Sequence, residues 1–150
     1  MALVRRDRIA LTLDGARIIL SGAEARAARL GVDFAIAVTD SAGMLIAFHR
    51  MDGAKLTSID VAINKAFTAA GTRKPTHEYA RMAGPGGPAF GIHASNQGRF
   101  TIFGGGAPIV VAGQCIGAVG CSSGTAEQDQ EVAEAGIGAL LGALEADRSD

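Results

Sequence analysis

Tryptophan is absent from this 150-residue chain, tyrosine occurs once and phenylalanine 6 times, so large rings can fill little of the interior. Glycine, counted at 21, and the many alanines must take their place, and close approach of helix to sheet and of helix to helix follows. Cysteine is scarce as well. Cys115 and Cys121 fall in one expected strand, where their spacing puts the Cα atoms roughly 20 Å apart, too far for a disulfide. Both read as small core residues. Neither sign of charge dominates: the formal net charge is −1 and the Lys and Arg residues are dispersed, which excludes the concentrated positive field of a nucleic-acid binder. No run reaches the roughly 18 consecutive apolar residues of a membrane-spanning helix. The charged start, Met1 to Arg8, is not followed by an apolar stretch and cleavage site, so a cytoplasmic chain is expected. Hydrophobic residues make up 48% of the sequence, enough for one core, and the length suits a single domain covering 1–150.

Apolar residues Leu13, Ala16, Leu20, Ala23, Ala27 and Leu30 recur at steps of three and four, which predicts an amphipathic helix ended by Gly31. Phe34 to Val38 and Met44 to Phe48 alternate around the turn residues Asp40-Ser41-Ala42-Gly43, a β-hairpin pattern. Helical spacing returns from Ser58 to Thr72, with Ile59, Ala62, Ile63, Ala66 and Ala70 inward and Asp60, Asn64 and Thr68 outward. Pro75 breaks it, Thr76 to Met82 suits a short helix, and Gly84-Pro85-Gly86-Gly87-Pro88 is a loop. Phe100 to Phe103, Ile109 to Val111 and Cys115 to Cys121 read as three short strands. Thr125 and Gln128 form a capping-box pattern, and Val132, Ala135, Ala139, Leu140 and Ala143 carry a closing helix. The order αββααβββα predicts a three-layer α+β fold, with a five-stranded antiparallel sheet flanked by helices.

Several strings resemble the GlcG/HbpS family along nearly the whole chain. They are Ala37-Val38-Thr39-Asp40-Ser41-Ala42-Gly43, Arg50-Met51-Asp52-Gly53-Ala54, Ser58-Ile59-Asp60-Val61-Ala62, Lys65-Ala66-Phe67-Thr68-Ala69-Ala70, Gly104-Gly105-Gly106-Ala107-Pro108-Ile109 and Gly117-Ala118-Val119-Gly120. The resemblance implies a profilin-like, GlcG-like fold and a homo-oligomer, from a dimer up to a hexamer or octamer. It also implies a lysine at Lys65. Some members of that family bind haem, some accompany cobalamin adenosyltransferase domains, and some lie beside genes for glycolate or aromatic-ring catabolism. Haem is the one cofactor that the resemblance brings forward.

The residues themselves offer several candidates. Gly104, Gly105 and Gly106 would allow successive amides to point into one concavity as an anion nest, or form a plain turn. His93-Ala94-Ser95-Asn96-Gln97-Gly98-Arg99 is the densest polar cluster: Arg99 can clamp a carboxylate, Asn96 can add an amide, and His93 can move a proton. Either could equally be a solvated surface side chain. Lys65 lies on a small, apolar helix face, where it would snorkel outward or serve a pocket as a base or imine-forming amine. Asp60 and Asp40 are its candidate partners. His49 faces away from Met44, Ile46 and Phe48, toward a helix or a neighbouring subunit, and His77 stands alone. The histidine and cysteine spacings match no zinc pattern and no Gly-x-Ser-x-Gly elbow is present, so no metal site is expected. Glu127 and Asp129 read as first-turn helix charges and Asp52-Gly53 as a turn.

Three functions are compatible with these features. The first is a pocket for a small anionic organic molecule, a 2-oxo, enol or unsaturated carboxylate held by Arg99, Asn96 and the glycine amides. If that ligand is turned over, Lys65 or His93 would supply acid–base catalysis of a tautomerase, hydratase or hydrolase type. The second is a haem or tetrapyrrole site at a subunit interface, with apolar walls for the porphyrin, basic residues for the propionates and a hydroxyl or one of His49, His77 and His93 for the iron. The third is a non-catalytic structural module.

Overall fold

The computed structural model describes residues 3–148. Helix α1, Leu13–Leu30, starts where the Thr12 hydroxyl accepts from the Gly15 amide at 3.1 Å and stops at Gly31, whose φ is 67°. Strands β1 (Ala35–Asp40) and β2 (Leu45–Arg50) form the expected hairpin. Its turn is tied by the Asp40 carboxylate, which accepts from the Ala42 and Met44 amides at 2.8 and 3.0 Å. Helix α2 spans Ser58–Thr72, and the four-residue α3 spans Tyr79–Met82. Two single 3₁₀ turns follow, Ile92–Ala94 and Asn96–Gly98. Strands β3 (Gly106–Val111) and β4 (Gln114–Ser122) lead into α4, Ala126–Asp147, whose start carries the complete Thr125–Gln128 capping box.

The sheet is antiparallel in the order β2-β1-β4-β3, with α1 and α4 packed on one face and α2 on the other. It has four strands among the described residues, and the order is αββααββα. The expected strand Phe100–Phe103 is the one that differs. Its Thr101 amide donates to the Thr68 hydroxyl of α2 at 2.9 Å, and that hydroxyl lies 3.2 Å from the Arg99 carbonyl. The segment is therefore laid across α2, and its backbone groups are satisfied there instead of in a ladder. For the same reason Thr68, expected outward, is buried.

Scarcity of aromatics shapes the packing. On the α1/α4 side, Ile19, Leu20, Phe34, Ile36, Val38, Ile109, Val119 and Val132 form the main core. Full burial of an apolar side chain of this size stabilises by about 1.5–3 kcal/mol. On the α2 side the layer is almost pure alanine, with Ala35 and Ala37 of β1 against Ala62 and Ala66 of α2. Contact there is so close that a Cβ on Gly120 of β4 would overlap the Ala62 carbonyl. The helix rests on the sheet backbone itself.

Candidate functional site

Lys65 points inward from α2 and is fully buried. Its ammonium donates to the Asp129 carboxylate at 2.5 Å and to the Cys121 carbonyl at 2.9 Å, linking α2 to α4 and β4. Phe103 covers it, with the ring centroid 5.0 Å from Nζ. The second Asp129 oxygen accepts from the Gly124 amide at 2.9 Å, so the carboxylate is engaged on both sides. Burial pulls the Lys65 ammonium below its ordinary range, and the hydrogen bond and charge of Asp129 oppose that pull. Burial likewise raises the Asp129 carboxyl against the opposing effect of Lys65. The partner is neither Asp60 nor Asp40. Asp129 lies in phase with Val132, Ala133, Gly136 and Leu140, the buried stripe of α4, and that periodicity is the sequence signal that marks it as inward.

Gly104, Gly105 and Gly106 are all buried beside this pair, and Gly106 opens β3 rather than turning a hairpin. Two of their amides already have acceptors within the chain: Gly105 donates to the Gln130 side chain at 3.0 Å and Gly106 to the Thr76 hydroxyl at 2.9 Å. Cys121 donates its amide to the Gly105 carbonyl at 2.8 Å. These glycines thus hold α4 and the Thr76 turn against the sheet.

The polar cluster lies elsewhere, over the outer side of α2. His93 is exposed and, with Val61, Asn64, Gly98, Phe100, Thr101, Ile102 and Phe103, lines a cleft of about 440 Å³. Its ring has no hydrogen bond among the described residues and meets Phe90 edge-on, with centroids 6.5 Å apart. Arg99 is outside the lining but bonded to Asn64, which is in it. Its guanidinium stacks on Phe67 at 3.8 Å and donates through Nε to Asn64 at 3.3 Å, leaving both Nη groups without a partner among the described residues. Asn96 is exposed, in a left-handed conformation at φ 53°, and its amide bonds Ser95. His49 is far from this group in its contacts: its Nδ1 lies 2.6 Å from Glu24 of α1, so a helix covers that side of β2. His77 lines a separate, acidic cleft with Glu127, Glu131 and Glu134. Among the described residues no group of three or more His, Cys, Asp or Glu side chains is placed to hold a metal ion.

The structure therefore places His93 and Asn64 in one cleft, joins Arg99 to Asn64 beside it, and places Lys65 behind Phe103. It leaves the Gly105 and Gly106 amides and His49 with other partners. The sequence reading missed how Phe67, Phe90, Phe100 and Phe103 gather here. Four of the 6 phenylalanines border one region, which residue counts alone do not reveal.

This combination is a small α+β layer fold, with helices on both faces of a four-stranded antiparallel sheet and an aromatic-edged cleft beside α2. A family model described as haem degrading protein HbpS-like matches residues 11–138. A 15.0 kDa protein of Citrobacter freundii, from the dhaT-dhaS intergenic region, is 41% identical over 127 residues, 85% of this chain and 89% of that one. The corrinoid adenosyltransferase PduO of the same organism is 32% identical over 136 residues, which is 91% of this chain but only 41% of PduO. Among solved structures, the Klebsiella pneumoniae protein ORFY superposes with a TM-score of 0.89 at 34% identity, covering 93% of this chain and 97% of that one. A PduOC:haem complex superposes with a TM-score of 0.84 at 33% identity, covering 87% and 95%. The chain belongs to the HbpS-like family.

Proposed function

We propose that this protein binds haem or a related tetrapyrrole in the cleft between α2 and the segment from Phe90 to Phe103. The observation that carries the reading is the His93 imidazole, which has no hydrogen-bond partner among the described residues and lines the same cleft as Val61, Phe100, Ile102 and Phe103. The residues fit the group. Phe90 and Phe103, 64% and 46% exposed, offer apolar surface to a macrocycle, His93 offers an iron ligand, and Arg99 offers its unpaired Nη groups to a propionate. Similarity to the PduOC:haem complex supports the same assignment. Haem, when bound, would supply a redox-active iron. The chain's own residues would bind the porphyrin face, orient its carboxylates and exclude water from one side.

A second reading shares the cleft. The guanidinium of Arg99, held over the Phe67 ring with Nη1 and Nη2 unpartnered among the described residues, also suits a small organic carboxylate. In that reading His93 is the group that moves a proton, because Lys65 is buried against Asp129. Both readings expect the exposed Phe90 and Phe103 to be covered in use, by the ligand or by a second copy in a homo-oligomer.

Titration of the purified protein with haemin, followed by Soret absorbance, tests the first reading. A saturable site whose spectrum changes in His93→Ala but not in His49→Ala or His77→Ala is expected. Featureless, non-saturating absorbance would overturn it and transfer the cleft to small carboxylates, whose binding should then disappear in Arg99→Ala.

A further inference from the structure

A second concavity, of about 390 Å³, lies at the β3–β4 hairpin end, and Arg5, Arg8, Arg73, Gln114, Gly113 and Asp7 border it. Its construction is specific. Gln114 accepts from the Ile9 amide at 3.2 Å and donates to the Asp7 carbonyl at 2.9 Å, which fastens the N-terminal segment to the hairpin. That fastening brings Arg5 and Arg8 to the same opening as Arg73, at the end of α2. None of the three guanidinium groups makes a salt bridge among the described residues, and Asp7 is the one carboxylate in the lining. All three arginines are exposed and outnumber the single Asp7 carboxylate at the opening, a local surplus of positive charge that an anion would offset.

Backbone conformation adds an independent observation. Arg73 ends α2 at φ 58°, and Ala112 turns the hairpin at φ 47°, both in the left-handed region that ordinarily selects glycine. Arginine tolerates that strain here while placing its side chain at the opening. Planar guanidinium forks suit phosphate oxygens, and three of them exceed what one carboxylate requires.

We propose that this concavity binds a small polyphosphate-type anion, a pyrophosphate or triphosphate group, independently of the α2 cleft. The phosphate chain itself is the recognised chemistry, whether free or carried by a nucleotide.

Isothermal titration of the full chain at low ionic strength with inorganic phosphate, pyrophosphate, tripolyphosphate and ATP tests this. Tripolyphosphate should bind saturably and more tightly than phosphate, with affinity falling steeply as salt is added. Arg73→Gly removes the guanidinium while relieving the left-handed strain, so the fold should persist, and affinity should fall at least about tenfold, as should that of Arg8→Ala. His93→Ala should bind tripolyphosphate like the parent, which separates this site from the haem reading. Equal affinity for ATP and tripolyphosphate supports recognition of the phosphate chain. The proposal is overturned if tripolyphosphate shows no saturable binding at millimolar concentration, if ATP binds while tripolyphosphate is inert, or if neither arginine variant changes the affinity.

Discussion

Gly105 and Lys65 occupy adjoining space that only a missing side chain makes available: a Cβ on Gly105 would lie 2.5 Å from Lys65 Nζ and 2.7 Å from the Asp129 Cβ. Gly105 also has a φ of 120°, which L side chains rarely adopt. Conformation and contact thus act together. Gly105→Ala should destabilise the protein by about 3 kcal/mol or more, read as a lower urea midpoint with little change in slope. A midpoint equal to that of the parent would show that the pair can move aside freely.

The Lys65–Asp129 pair holds three elements together from inside. Truncating either partner, as Lys65→Met or Asp129→Ala, strands the other charge in the interior and should cost about 3–5 kcal/mol. Lys65→Met combined with Asp129→Leu removes both charges and should regain much of that loss. Recovery should stay incomplete, because the Gly124 amide loses its acceptor at a cost of about 1–3 kcal/mol. A double variant as unstable as the sum of the singles would argue against a coupled pair.

Cys121 gives a pH signature. Burial, reinforced by the Asp129 charge, raises its thiol above the ordinary 9.0, so above that pH the unfolded chain releases a proton that the folded chain keeps. Stability contributed by this group is present below 9.0 and is lost as pH rises, by up to about 1.4 kcal/mol per unit. The stability advantage of the parent over Cys121→Ala should accordingly shrink above pH 9.0. Comparing the two by urea denaturation cancels the opposing linkage of Lys65. An advantage independent of pH would mean that the thiol titrates alike in both states.

Arg99→Lys keeps the charge but loses the planar stack on Phe67 and the Nε bond to Asn64. Affinity for haemin, or for a carboxylate if haemin does not bind, should fall about five- to tenfold while the fold is retained. Unchanged affinity in both assays would remove Arg99 from the site.

Helix α1, the first hairpin, the capping box and the closing helix were legible because each rests on local chemistry: period, turn residues and a hydroxyl three residues before a glutamine. Phe100 to Phe103 was misread because a short apolar run looks alike on a sheet and on a helix, and the Thr68 hydroxyl decides between them. Lys65 stood out on its small, apolar helix face, yet its partner is 64 residues away and was taken for a helix-end charge. The cleft was half visible: His93 and Arg99 are near neighbours in sequence, whereas Asn64 and Phe67 reach them only through folding.

The near-contact of Gly120 with the Ala62 carbonyl reaches beyond packing. Helix α2 has no room to settle closer to the sheet, so the cleft wall it provides serves as a fixed reference surface. The facing segment is short turns with left-handed residues at Gly91, Asn96, Gln97 and Gly98. If the cleft binds its ligand as proposed, adaptation to ligand shape falls to that segment. On that proposal, exchanging residues 84–99 while leaving α2 untouched is the route by which this scaffold would be retuned to a new ligand.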